Sequence, residues 1–156
     1  MDDILFVCTA NICRSPFAER ALKDLFFKKN KEGIHVHSAG VNIFPGLSVP
    51  PEAIRIAFEL GIDVSEHTPR QVYIKIIQEA DIILVMNVFH KKIILEIDPE
   101  SEEKLRLLGN FGTFRGDMTE EVEVPDPYGL SSFHYRSSFN IIRDCINNLY
   151  EQMICP

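Results

Sequence analysis

The chain contains no hydrophobic run long enough to cross a bilayer. Its longest apolar stretches, such as Ile82–Met86, fall far short of the roughly 20 residues that a spanning helix needs. No membrane partner is expected. No leader segment is visible either: the start is acidic (Asp2, Asp3), and Ile4–Ala10 is too short for the apolar core of a signal peptide. A cytoplasmic location is the default. Cysteine is scarce, with Cys8, Cys13, Cys145 and Cys155 as the four in 156 residues. A disulfide-framed scaffold is therefore not expected, and in a reducing compartment such thiols are free, metal-bound or reactive. No C-x-x-C pair occurs and the five histidines show no H-x3-H spacing, so neither a metal site nor a cofactor is expected. Positive charge is in deficit as well. A formal net charge of −7 argues against broad nucleic-acid binding, yet leaves room for one small basic pocket. Repeats, low-complexity tracts and linkers are missing.

What remains is the composition of an ordinary globular protein, 46% hydrophobic and 25% charged, at a length that suits one domain over residues 1–156. Ile4–Cys8 reads as a strand buried on both faces, and Pro16–Lys29 as a helix with Ala18, Ala21, Leu22, Leu25 and Phe26 on its apolar side. The pattern continues with a strand over Ile34–Ala39, a helix over Pro51–Leu60 and a short helix ending at Glu79. A buried strand follows at Asp81–Met86, then a helix at Val88–Ile97 and a short strand at Lys104–Leu108. After a loop rich in acids, Gly and Pro, a last helix spans Ser131–Met153. Strands alternate with helices throughout, which predicts an α/β fold: a parallel sheet with helices on both faces. Such sheets bind ligands at the carboxyl ends of their strands. Cys8 lies at that end of the first strand.

The stretch after it, Cys8-Thr9-Ala10-Asn11-Ile12-Cys13-Arg14-Ser15, joins a strand to a helix through polar or small residues. Backbone N–H groups of a loop curling onto a helix N-terminus converge into an anion cradle. Arg14 adds a planar fork that matches two phosphate oxygens. The same field stabilises a thiolate at Cys8, which is then a nucleophile placed against a bound phosphorus. Taken singly, Cys8 also fits a buried strand cysteine, and Arg14 a solvated helix start. The combination favours the phosphate-binding reading.

"VCTANICRSPFAERAL" resembles the active-site loop of the low-molecular-weight protein tyrosine phosphatases, whose pattern is V-C-x-G-N-I-C-R-S-P. The likeness extends to "SAG" at Ser38–Gly40, "HTPRQ" at His67–Gln71 and "VPDPYG" at Val124–Gly129, covering essentially the whole chain. It implies a four-stranded parallel twisted sheet with a phosphate-binding loop after the first strand. It also implies metal-free hydrolysis of phosphotyrosine through a phosphocysteine. The partners implied are a tyrosine-phosphorylated protein as substrate and inorganic phosphate as product, with a monomer as the default state.

On this resemblance Cys8 would be the nucleophile and Arg14 the phosphoryl clamp. Ser15 would donate its hydroxyl to the thiolate, although a helix N-cap is its equally ordinary use. Asp126, in a D-P pair, would be the general acid and then the base. Thr9, Ala10, Asn11, Ile12 and Cys13 would wrap the phosphoryl group, with Tyr128 lining the cleft. Ser38 and His67 would support Asn11, a residue suited to a left-handed backbone; a general-base role for His67 is the rival. Cys13 fits either a reversible disulfide with Cys8 or plain packing under the loop. Two residues depart from the pattern. Ala10 replaces a usual Gly, which strains the loop if φ there is positive, and Asn87 stands where many relatives carry Asp. Ile12 on the rim suits a flat aromatic substrate, whereas relatives resembling arginine phosphatases carry Thr there. Other readings are a protein arginine phosphatase, a thiol-linked arsenate reductase on a similar fold, and a phosphate-binding module without turnover.

Overall fold

In the computed structural model, which describes residues 1–112 and 120–155, the backbone alternates strand and helix in the predicted order. The strands are β1 (Asp3–Cys8), β2 (His35–Gly40), β3 (Ile82–Val85) and β4 (Leu105–Leu107). The helices are α1 (Arg14–Lys28), α2 (Pro51–Glu59), α3 (Ile74–Glu79), α4 (Val88–Ile97) and α5 (Ser132–Leu149). The four strands form one parallel sheet in the order β2-β1-β3-β4, with Cys8 opposite Gly40 and Val7 opposite Val85. The order reverses at β1, so the loop leaving β1 opens at the topological switch point.

The unbroken apolar run of β1 follows from its central position. Alternate side chains serve two separate cores. Ile4, Phe6 and Cys8 pack with Ala18 and Leu22 of α1, Ile56 of α2, and Phe139 and Ile142 of α5. Leu5 and Val7 pack with Ile76 and Ile77 of α3 and Ile94 of α4. Residues 4–7 are entirely buried. Across the first core, the rings of Phe17 and Phe139 stack 4.3 Å apart and 2° from parallel, which fastens α1 to α5. Among the described residues, no helix is long and apolar enough to cross a membrane.

Several boundaries differ from the sequence reading for identifiable reasons. α1 begins at Arg14 and not at Pro16; a proline fits any position of a first turn, so it marks the start of a helix only to within two residues. The last helix stops at Leu149 and continues as a wider turn over Tyr150–Ile154, closed by the Cys155 N–H donating to the Tyr150 carbonyl at 2.8 Å. β3 begins at Ile82; just before it, the Asp81 carboxylate accepts the backbone N–H groups of Asp2 and Asp3 at 2.7 and 3.0 Å. Part of the acid- and Gly/Pro-rich loop, residues 113–119, lies outside the described residues.

Candidate active site

The loop from Thr9 to Cys13 joins β1 to α1 without regular structure, and its curvature depends on one residue. Asn11 holds φ at 56°, a left-handed conformation that Asn tolerates better than most side chains. Ala10 is not among the residues with positive φ, so replacing the usual Gly brings no backbone strain. Among the described residues, no backbone–backbone hydrogen bond takes up the N–H groups of Thr9 to Cys13. Five donors in a short curl are thus left for an anion.

The Asn11 side chain is fully buried and its orientation is fixed from both ends. Its Oδ1 accepts the Arg70 backbone N–H at 2.9 Å and faces His67 Nε2 at 3.0 Å. Its Nδ2 donates to Ser15 Oγ at 2.7 Å and to Ser38 Oγ at 2.9 Å. Because Ser15 Oγ accepts from Asn11, its own hydrogen is free for Cys8 Sγ, 2.9 Å away. Ser15 is therefore not a cap: α1 has Cys13 at its N-cap position and no side-chain cap bond. Ser38 and His67 sit behind Asn11, as expected. Burial lowers the His67 pKa, and with Nε2 also 3.1 Å from the Asn11 carbonyl the ring acts as a neutral donor that braces the loop.

Arg14 is almost wholly buried. Its Nη1 donates to the Val124 carbonyl at 2.9 Å, and Nη2 lies 3.4 Å from Thr9 Oγ1 and 3.6 Å from Asp126 Oδ2. The acid loop is anchored in turn: the Val124 N–H donates to the Met86 carbonyl, and Ser138 Oγ of α5 donates to the Pro125 carbonyl, each at 2.8 Å. Asp126 is half exposed, with Oδ1 accepting the Tyr128 N–H at 3.1 Å. Cys8, Thr9, Ala10, Ile12, Cys13, Arg14, Asp126 and Tyr128 line one cavity of about 100 Å³, so the predicted nucleophile, clamp, acid and aromatic wall meet there. Phe44 and Leu47, from the loop after β2, complete the rim.

Three further residues matter to which the sequence assigned no role, although Gly40 and Val124 lie within the quoted motifs. His90 is fully buried, with Nε2 at 2.8 Å from Thr9 Oγ1, beneath the clamp. Burial above all, and then Arg14, pushes its pKa down to about 3, and its Nδ1 has no hydrogen-bond partner among the described residues. Gly40 touches the loop backbone from β2, and Val124 orients Arg14 through its carbonyl. Asn87 caps α4 by accepting the His90 N–H at 2.9 Å, a task Asn performs as well as Asp. Cys13 is buried under the loop, where desolvation and then Cys8 push its thiol up to about 12.

A family model described as low molecular weight phosphotyrosine protein phosphatase matches residues 3–154. The chain belongs to this family. Among its relatives is the low molecular weight protein-tyrosine-phosphatase Wzb of Escherichia coli (strain K12), 32% identical over 141 residues that cover 90% of this chain and 88% of Wzb. The solved structure of Wzb from Escherichia coli K30 in complex with sulphate superposes with a TM-score of 0.83 at 30% identity, covering 97% of this chain and 98% of that one. The YwlE arginine phosphatase from Geobacillus stearothermophilus gives 0.83 at 32% identity, covering 99% and 94%. The four-stranded parallel sheet is thus the fold of this phosphatase family.

Proposed function

We propose that the chain hydrolyses phosphotyrosine in protein substrates without a metal, through a phosphocysteine on Cys8. The observation that carries this reading is the single cavity joining Cys8 Sγ, the Arg14 guanidinium and the Asp126 carboxylate. The free loop amides and Arg14 hold the three non-bridging oxygens and bind them more tightly as charge builds up. The Cys8 thiolate attacks phosphorus as the bond to the tyrosyl oxygen breaks, and Asp126, protonated, gives its hydrogen to that oxygen. Asp126, now a carboxylate, takes a proton from water, whose oxygen displaces the sulfur. Ser15 donates its hydrogen bond to the departing thiolate, and inorganic phosphate leaves.

Ile12, Phe44, Leu47 and Tyr128 around the mouth favour an aromatic phosphoester over phosphoarginine. A redox relay to arsenate finds little support: Cys145 is fully buried and its thiol is raised by burial to about 12. The deciding experiment offers phosphotyrosine, phosphoserine and phosphoarginine peptides to wild type and Cys8→Ser, in excess chelator. The phosphotyrosine peptide should release phosphate fastest, and Cys8→Ser should release none. Preferred turnover of phosphoarginine would assign the chain to the arginine phosphatases. Tight phosphopeptide binding without phosphate release would make it a binding module. Asp126→Asn should slow poor leaving groups more than p-nitrophenol; equal slowing would remove Asp126 from its role.

A further inference from the structure

We propose that Asp3, His35 and His37 form a site for one divalent transition-metal ion of the zinc or nickel class, at the opposite end of the sheet from Cys8. Asp3 and His35 are cross-strand partners on β1 and β2, and His37, two residues along β2, returns to the same face. His35 Nδ1 lies 2.8 Å from Asp3 Oδ2 and His37 Nε2 lies 2.6 Å from Asp3 Oδ1. One ligand atom from each residue falls within 4.8 Å of the other two. Two imidazoles and a carboxylate are the donor set that borderline metals prefer, and three protein ligands leave a fourth position for water. β2 is an edge strand, and beside it opens a cavity of about 450 Å³ lined by both histidines, which gives an entry path. The His35 ring is held by its hydrogen bond to Asp3 and by stacking on His37, 4.2 Å away. A metal would replace that hydrogen bond, and the exposed side of the ring leaves room for it to turn toward the other two ligand atoms.

Arg70 competes with the metal. Its Nη2 donates to His37 Nδ1 at 2.5 Å, which places the ring hydrogen on Nε2. A metal on Nε2 needs that hydrogen on Nδ1, so the guanidinium must turn away, toward Glu19, Asp63 or Glu66 of the adjoining cavity. No net proton leaves the ring.

The test is calorimetric titration of the metal-free full chain with NiCl2. We expect one Ni2+ per chain, weakened tenfold or more in His35→Gln and in His37→Gln, about the loss that even a supporting residue causes. Arg70→Met should tighten binding severalfold by removing the competitor. Cys8→Ser should bind Ni2+ as the wild type does. His35→Gln should keep wild-type turnover of p-nitrophenyl phosphate, which shows that it folds. Undiminished Ni2+ binding in both histidine variants, or its loss in Cys8→Ser, would overturn the assignment.

Discussion

A methyl group on Gly40 would sit 2.7 Å from the Thr9 carbonyl oxygen and 2.9 Å from both the Ala10 carbonyl carbon and the Asn11 nitrogen. All three are backbone atoms of the phosphate loop and have no side-chain freedom with which to yield. Gly40→Ala should therefore displace the loop by a fraction of an ångström and lower kcat/KM by about 100-fold, the scale of small misplacements. Steady-state kinetics alongside a melting curve would test this, and full activity in a folded variant would refute the contact. Ser15→Ala removes the hydrogen bond that, among the described residues, is the one on the Cys8 sulfur. In the proposed mechanism the step it serves is thiolate departure. We expect a burst of p-nitrophenol followed by a steady state slowed roughly tenfold or more, as suits a charge-assisted bond of about 1.5–3 kcal/mol. Stopped-flow absorbance separates the phases; no burst, or an unchanged steady state, would assign Ser15 to Asn11 alone. The residues read from the sequence, Cys8 to Ser15 and Asp126, were legible because each carries its chemistry within a short contiguous motif. Gly40 was legible only as part of "SAG", since nothing in a sequence says which backbone a glycine will touch.

At the scale of elements, α4 shows where sequence reasoning stops. Val88–Ile97 reads correctly as a helix from its apolar spacing. That His90 on it reaches Thr9, 81 residues away, depends on the docking of β3 beside β1. The folded chain keeps His90 neutral down to about pH 3, whereas the unfolded chain takes up a proton near 6.5. Stability therefore falls as pH drops through that window. His67 and His37, lowered chiefly by burial, act in the same direction. Urea unfolding between pH 7 and 5 should show His90 contributing a slope of up to about 1.4 kcal/mol per pH unit below its unfolded value. His90→Asn should remove that share of the slope; an identical slope in the variant would refute it. The pairing on β2 teaches the complementary lesson. H-x-H is uninformative against helical ligand spacings, yet on a strand a separation of two places both rings on one face.

The alternation of strands and helices was enough to predict a parallel sheet with covered faces, because crossover connections permit few other arrangements. Strand order was a different matter. β1 flanked by β2 and β3 follows from which strands find room beside the central hydrophobic run, a property of the assembled cores and not of any segment. The two-core arrangement also buries β1 from both sides, residues 4–7 completely. Val7→Ala should cost about 2–4 kcal/mol of unfolding free energy, measured by urea denaturation, because Val7 is wholly buried in the second core. A loss below about 1 kcal/mol would mean that this core collapses around the vacancy.

Arg14 takes its bearing from the carbonyl of Val124, 110 residues further along. Synthesis from the amino terminus therefore delivers the sulfur and the guanidinium early and their alignment late. A nascent polypeptide halted before Val124 would carry the whole C-x5-R signature without the carbonyl that orients its arginine. Alignment of the site is thus timed by the chain itself: it is complete only when the carboxyl-terminal segments have emerged and docked.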